Sequence, residues 1–228
     1  MIRRKFSTSH NAFAGSDWFK KHTTDPYVLK AQSDGYRCRS AYKLIQIQQK
    51  HQIFQPGMVV MDCGCSPGSW SQIAASYVNA GGIYEDYKPP GFLVGCDLLH
   101  VESLPGTVLL SHRDFTDEDT QEELLNVIDN RPFNVVLSDM APNVTGSKKF
   151  DHEKIMRLAF QVRDFTLSHG AMDCSMVIKV FSGGLLEPFV ANLQDKFDFV
   201  TYFKPKASRK ESAELYVIAK HKIKGVSK

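Results

Sequence analysis

Two spacings of apolar residues alternate along the chain. Short runs at Met58–Asp62, Phe92–Cys96, Thr107–Leu110, Phe133–Ser138 and Ser175–Phe181 read as five buried strands. Between them, Trp70, Ile73, Ala74, Tyr77 and Val78 recur at helical spacing, as do Ile155, Leu158, Ala159, Val162 and Phe165. Leu124, Leu125 and Ile128 mark a further helix, for which Thr116 and Asp119 can supply a capping box. Leu185–Lys196 reads as a last helix, and Phe199–Phe203 and Leu215–Ala219 as two closing strands. Only the basic loop Lys204–Ala213 joins that final pair, so an antiparallel edge hairpin is expected. The remaining alternation predicts an α/β fold: a seven-stranded, mostly parallel sheet with helices on both faces. Asn79–Gly91, rich in Gly, Pro and Tyr, reads as a surface insertion between helix and strand.

Composition narrows the class. A chain of 228 residues can bury a large core without staples. Its longest apolar runs, such as Val135–Leu137 and Val177–Val180, are far too short to span a bilayer. The formal charge of +3 does not by itself imply nucleic acid, but its distribution is uneven. Arg3, Arg4, Lys5, Lys20, Lys21, Lys30, Arg37 and Arg39 precede the first strong apolar run, opposed only by Asp17, Asp25 and Asp34. A second cluster is Lys204, Lys206, Arg209 and Lys210. Five cysteines without a C-x-x-C pair argue against a zinc site or disulfide framework, and the histidines show no metal spacing. The start of the chain is Arg- and Ser-rich with no acid before Asp17, the composition of a mitochondrial transit peptide, and Arg4-Lys5-Phe6-Ser7 resembles a matrix-protease site cut after Phe6. A basic tail that touches RNA is the other reading. The expected organisation is an N-terminal targeting or basic segment over 1–30, one domain over 31–222 and a tail over 223–228.

The candidate chemistry lies at strand ends, where open α/β sheets bind ligands. Asp62, Asp97 and Asp139 each end a strand, and Asp114 closely follows one. The turn Gly64-Cys65-Ser66-Pro67-Gly68 after Asp62 can bring backbone close to a ligand. It matches neither G-x-G-x-x-G nor a P-loop, which disfavours a phosphate cradle. Lys179 sits inside the apolar run V-I-K-V-F, where an ammonium is costly without a partner. Asp139 is the expected partner. A purely structural ion-pair network is the plain alternative.

Several segments, in order, resemble the RrmJ/FtsJ family of ribosomal RNA ribose 2′-O-methyltransferases. They are R-C-R-S-A-Y-K-L, D-C-G-C-S-P-G-S-W-S-Q, G-C-D-L-L, D-F-T-D, L-S-D-M-A-P-N, I-K-V-F and K-P-K-A-S-R-K-E-S-A-E-L-Y-V-I-A, within about residues 36–220. Where the family usually has G-A-A-P-G-G-W, Cys65, Ser66 and Ser69 stand here, all small. The resemblance implies a Rossmann-like class I methyltransferase using S-adenosylmethionine, and the N-terminal character, H-Q-I-F-Q-P-G and A-S-R-K-E-S favour its mitochondrial branch. The family's tetrad carries over to Lys43, Asp139, Lys179 and Glu214. Lys179 would be the base or acceptor, Lys43 a nearby cation, Asp139 the orienting group and Glu214 the holder of Lys43.

Cofactor contacts are expected from Asp62, Gly64, Pro67, Gly68, Ser69, Trp70, Asp97, Asp114, Phe115 and Asp139. Asp97 suits ribose hydroxyls, and Asp114-Phe115 an adenine edge with an apolar wall. Arg37, Arg39, Lys206, Arg209 and Lys210 would contact RNA phosphates, and Tyr36 and Tyr42 could stack on a base or pack internally. The implied reaction is 2′-O-methylation of a uridine in the A-loop of mitochondrial large-subunit rRNA, on the rRNA or the assembling subunit in the matrix, with no metal and no membrane span. The competing readings are a tRNA or mRNA-cap 2′-O-methyltransferase, and a catalytically silent assembly factor.

Overall fold

The computed structural model describes residues 24–142 and 145–223. In chain order the elements are α1 Pro26–Ser33, α2 Ala41–His51, β1 Val59–Cys63, α3 Ser69–Val78, β2 Phe92–Asp97, β3 Thr107–Ser111, α4 Glu118–Val127, β4 Phe133–Ser138, α5 Lys148–His169, β5 Gly170–Phe181, α6 Leu186–Gln194, β6 Phe197–Phe203 and β7 Glu214–Lys222. The strands form one seven-stranded sheet in the order β3-β2-β1-β4-β5-β7-β6. β1 pairs in parallel with both β2 and β4, so the strand order reverses between them. That reversal opens a crevice at the carboxyl ends of β1 and β4. β7 runs antiparallel between β5 and β6, giving the expected edge hairpin.

Each central strand is buried on both faces because its side chains alternate between two helical layers. Val135 and Leu137 of β4, Val177 of β5, and Tyr216 and Ile218 of β7 join one layer with Leu44 and Ile47 of α2 and Ile73 of α3. Val136, Met176, Ile178 and Val217 join the other, with Leu124 of α4, Ile155 of α5 and Phe189 of α6. The period of two carries past the strand ends. Asp139, Lys179 and Glu214 therefore share the parity of the residues facing α2, which itself carries Lys43.

Three local features differ from the sequence pattern. α1 crosses the expected boundary between residues 30 and 31. Asp25 caps it by accepting from the Tyr27 amide at 2.9 Å, and Pro26 occupies its first turn. α4 starts at Glu118 with Asp117 at its N-cap, so the Thr116/Asp119 capping box does not form. The Thr116 amide and hydroxyl instead both bond Asp114 Oδ1 at 2.8 Å. β5 begins at Gly170, five residues before the apolar run; a register irregularity between Phe133 and Val135 accommodates the extra length.

The 79–91 segment is organised by one buried side chain. Asn79 donates to the carbonyls of Glu85 and Lys88 and accepts from the amides of Tyr84 and Glu85. The possible cleavage point near Phe6 and most of the N-terminal segment lie outside the described residues, as do residues 224–228 of the tail. Among the described residues no helix is long and apolar enough to cross a membrane.

Candidate active site

The parity rule brings four charged groups together. Lys179 Nζ lies 2.9 Å from Asp139 Oδ1 and also donates to the Asp139 carbonyl. Lys43 Nζ lies 2.9 Å from Glu214 Oε1 and 3.0 Å from Oε2. All four of the tetrad residues expected from the sequence thus meet as two ion pairs at the ends of β4, β5 and β7. Lys179 is only 8% exposed, so its ammonium depends on these partners.

Two further residues hold Asp139. Tyr216 donates to Oδ1 at 2.7 Å and Ser40 to Oδ2 at 2.6 Å. Burial pushes the Asp139 carboxyl up, but Lys179, Lys43 and the two hydroxyl donors outweigh it and hold the group well below the usual carboxylate range. Burial first, then the neighbouring Asp139 charge, pushes the Tyr216 phenol well above its ordinary value, so it stays a donor. Neither partner was singled out from sequence. The signal for Tyr216 was its parity with Glu214 on one strand; Ser40 stands one helical turn before Lys43.

Asp139 borders two clefts. One, of about 660 Å³, lies over the ends of β1, β2 and β4. It falls within the ~300–1,000 Å³ range of small-molecule sites. Of the residues expected to touch a cofactor, Gly64, Asp97, Asp114, Phe115 and Asp139 line it. Met140, Arg113, Arg157 and Leu158 line it too and were not foreseen. Asp97 accepts the Ser66 amide on Oδ2 and the Leu99 amide on Oδ1, each about one bond per oxygen, so it retains acceptor capacity for hydroxyl groups. Asp114 has both its protein bonds on Oδ1, which leaves Oδ2 for a donor. Leu158 and Met140 supply apolar wall, and Phe115, buried edge to face against Phe165, borders it from the core. This donor set fits an adenosyl group: carboxylates for ribose and amine, carbon for a ring face.

The other expected contacts, Asp62, Pro67, Gly68, Ser69 and Trp70, do not line this cleft. Asp62 is fully buried, with Oδ2 accepting from Ser71 at 2.6 Å and Oδ1 without a partner among the described residues. Burial pushes its carboxyl up to about 7, opposed by Ser71 and reinforced by the charges of Asp139 and Asp97. Gly64, at φ +74°, packs so tightly on Met140 that a Cβ would lie 2.3 Å from its Cγ. Gly68, at φ +106°, is covered by Arg37, whose Nη1 would lie 2.2 Å from a Cβ there. Pro67 gives its carbonyl to Arg37, Ser69 meets Cys38, and Trp70 is buried against Tyr216 with its indole N–H on the Ser40 carbonyl at 3.0 Å.

The second cleft, of about 910 Å³, reaches Asp139 from the other side. Its five bases, Lys43, Arg39, Lys206, Arg209 and Lys210, outnumber its four acids, Asp25, Asp139, Glu211 and Glu214, so its lining is basic on balance. Lys206, Arg209 and Lys210 are exposed, whereas Arg39 is tied to Asp25 and the Ala207 carbonyl. Arg37 lies outside this cleft. Its guanidinium donates to the carbonyls of Pro67, Glu102 and Ser103 at 3.0, 2.8 and 2.8 Å. Tyr36 and Tyr42 pack edge to face, and Tyr42 bonds Asp34. Among the described residues no cluster of three His, Cys, Asp or Glu is placed to hold a metal.

Comparison with known proteins gives consistent relatives. The family model described as FtsJ-like methyltransferase matches residues 36–222. "rRNA methyltransferase 2, mitochondrial" of Drosophila melanogaster is 38% identical over 208 residues, covering 91% of this chain and 83% of that protein. "Ribosomal RNA large subunit methyltransferase E" of Acinetobacter baylyi is 38% identical over 226 residues, 99% of this chain and 98% of that protein. A crystal structure from Plasmodium falciparum covers 82% of this chain and 98% of its own at 22% identity, with a TM-score of 0.71, which shows a shared fold.

Proposed function

The chain belongs to the FtsJ-like methyltransferase family, and on that footing we propose that it methylates the 2′-oxygen of a uridine ribose in the A-loop of mitochondrial large-subunit rRNA, supporting ribosome assembly in the matrix. The observation that carries this reading is the position of Asp139. It borders both the cleft suited to an adenosyl group and the basic cleft, and it pairs with the buried Lys179 beneath them. The names of the Drosophila and Acinetobacter relatives support rRNA as the substrate, and the former supports mitochondria.

S-adenosylmethionine would supply an electrophilic methyl group on a sulfonium. Asp97 would bind its ribose hydroxyls, Asp114 its adenine edge and Phe115 the adenine face. Lys206, Arg209 and Lys210 would track RNA phosphates along the basic cleft. The 2′-hydroxyl would then enter at Asp139. A ribose hydroxyl is a weak nucleophile, so the site must align it and remove its proton. Lys179 is the proposed acceptor of that proton, oriented by Asp139; it would act as the neutral amine, its own ammonium proton having first passed to solvent. Lys43, fixed by Glu214, places a positive charge beside the oxygen as its O–H bond breaks. The bound cofactor would give up its methyl carbon to that oxygen, its sulfonium keeping the bonding pair and leaving as a neutral thioether, and the RNA would leave as a 2′-methyl ether.

The test is to incubate the purified chain with S-adenosylmethionine and large-subunit rRNA, free or in assembling particles, and to map ribose methylation by nucleotide. A new 2′-O-methyl on an A-loop uridine supports the proposal. Methylation of tRNA or cap substrates alone, or of a base atom, overturns it.

A further inference from the structure

Ser40 occupies the N-cap position of α2, where a hydroxyl usually accepts a bond from a first-turn amide. Its side chain makes no such bond. Its Oγ instead donates to Asp139 Oδ2 at 2.6 Å, while its carbonyl accepts the buried Trp70 indole at 3.0 Å. Ser40 also lines the basic cleft beside Lys43.

The distribution of donors around Asp139 gives this contact its weight. Lys179 Nζ and Tyr216 OH both reach Oδ1. A carboxylate held through one oxygen can still swing the other, because the terminal torsion of Asp is soft. A lysine ammonium on a flexible stem does not resist that motion. Only Ser40 bonds Oδ2 among the hydrogen bonds and ion pairs of the described residues. A carboxylate offers about four lone-pair sites. With three side-chain donors in place, the remaining one lies on Oδ2, on a group that borders both clefts.

We infer that Ser40 is a positioning residue for methyl transfer: its hydroxyl, with its backbone fixed by Trp70, sets the plane of the Asp139 carboxylate. Lys179 and the open Oδ2 site then meet the ribose hydroxyl in one orientation. Trp70 acts on the chemistry from behind, through Ser40. The inference rests on the reading of this site as a ribose methyltransferase centre.

The experiment uses the full chain with Ser40→Ala, Ser40→Gly and Ser40→Thr, large-subunit rRNA and S-adenosylmethionine. Glycine is itself a good N-cap, so its variant separates loss of the hydroxyl from loss of helix stability. The expected result is a roughly ten- to hundredfold fall in kcat for the Ala and Gly variants, the scale of a small misplacement of reacting groups. KM for RNA and calorimetric cofactor affinity stay at wild-type values, and Ser40→Thr recovers most of the rate. An active wild type with unchanged kcat in both Ala and Gly variants overturns the inference alone. So does a loss expressed only in KM for RNA, which would make Ser40 a binding contact. A wild type that methylates no rRNA overturns the proposed function together with the inference built on it.

Discussion

Lys179 on β5 stands directly opposite Tyr216 on β7, and both side chains reach the same oxygen of Asp139. An antiparallel register thus places a cation and a phenol side by side on one carboxylate. The pairing of two edge-side strands is as much a part of the site as the carboxyl ends of the parallel strands.

Lys179→Ala should keep the fold and the cofactor affinity yet lose methyl transfer by about 10²–10⁴, the usual scale for a general base. Single-turnover transfer to rRNA and calorimetry measure the two parts. Transfer near the wild-type rate would remove Lys179 as proton acceptor. An unfolded variant would favour a structural ion pair with Asp139.

Asp97→Asn should weaken S-adenosylmethionine binding by roughly 10- to 100-fold, the cost of charge-assisted hydrogen bonds to hydroxyl groups. Asn keeps an acceptor for only one of the turn amides of Ser66 and Leu99 and sets its NH2 against the other, so the melting temperature should fall modestly as well, and the affinity is measured below it. Wild-type affinity in a folded variant would place the ribose elsewhere.

Asp62 links stability to pH. Burial raises its carboxyl to about 7 from an ordinary 3.8. Between those values the unfolded chain has released the proton and the native protein keeps it, so this group's contribution falls as pH rises. An offset of this size corresponds to roughly 4 kcal/mol. Asp62→Asn cannot ionise. Its stability relative to wild type should therefore climb from pH 4 to about 7 and level off above. Urea unfolding of both proteins across that range measures the difference, and a flat difference would mean that Asp62 is ionised in the native state.

Arg209 and Arg37 should respond in opposite ways to alanine. Arg209→Ala should reduce the slope of log affinity against log salt by about 0.7–0.9 for RNA, as one lost phosphate contact does, with no change in melting temperature. Arg37→Ala removes three hydrogen bonds that tie the Pro67, Glu102 and Ser103 carbonyls together and should lower the melting temperature while leaving the salt slope alone. A changed slope for Arg37 would make it an RNA contact.

Strands were legible where both faces are buried, because a continuous apolar run is then unavoidable. β4 matches its run end to end, whereas β5, β6 and β7 extend beyond theirs: exposed Asp198 separates the buried Phe197 from the rest of β6, Asp173 interrupts the start of β5, and β7 runs on through polar Lys220–Lys222. α1 could have been read from Asp25-Pro26, an N-cap followed by a first-turn proline. The two ion pairs could be expected from charged residues at apolar strand ends and from family resemblance. Ser40 could not, because a serine before a helix reads first as a cap, and only the fold shows that its hydroxyl turns away to Asp139. Arg37 gains a second role in the same way: a basic residue in a basic segment reads as a phosphate contact, and only the fold shows three carbonyls around its guanidinium.

Asn79 has a different consequence. The 79–91 segment leaves the end of α3 and returns to the start of β2, at the edge of the sheet opposite Asp139. With four of its backbone groups met by that one side chain, and its base closed by the Ala80–Gly91 bridge, its tip behaves as a self-closed appendage rather than as part of the catalytic frame. Exposed Tyr84 and Tyr87 there can change identity, and the segment can change length, without disturbing the geometry at the far ends of the strands. The two edges of the sheet are thereby separated: one is fixed by its chemistry, and the other is open to grafting, labelling or divergence.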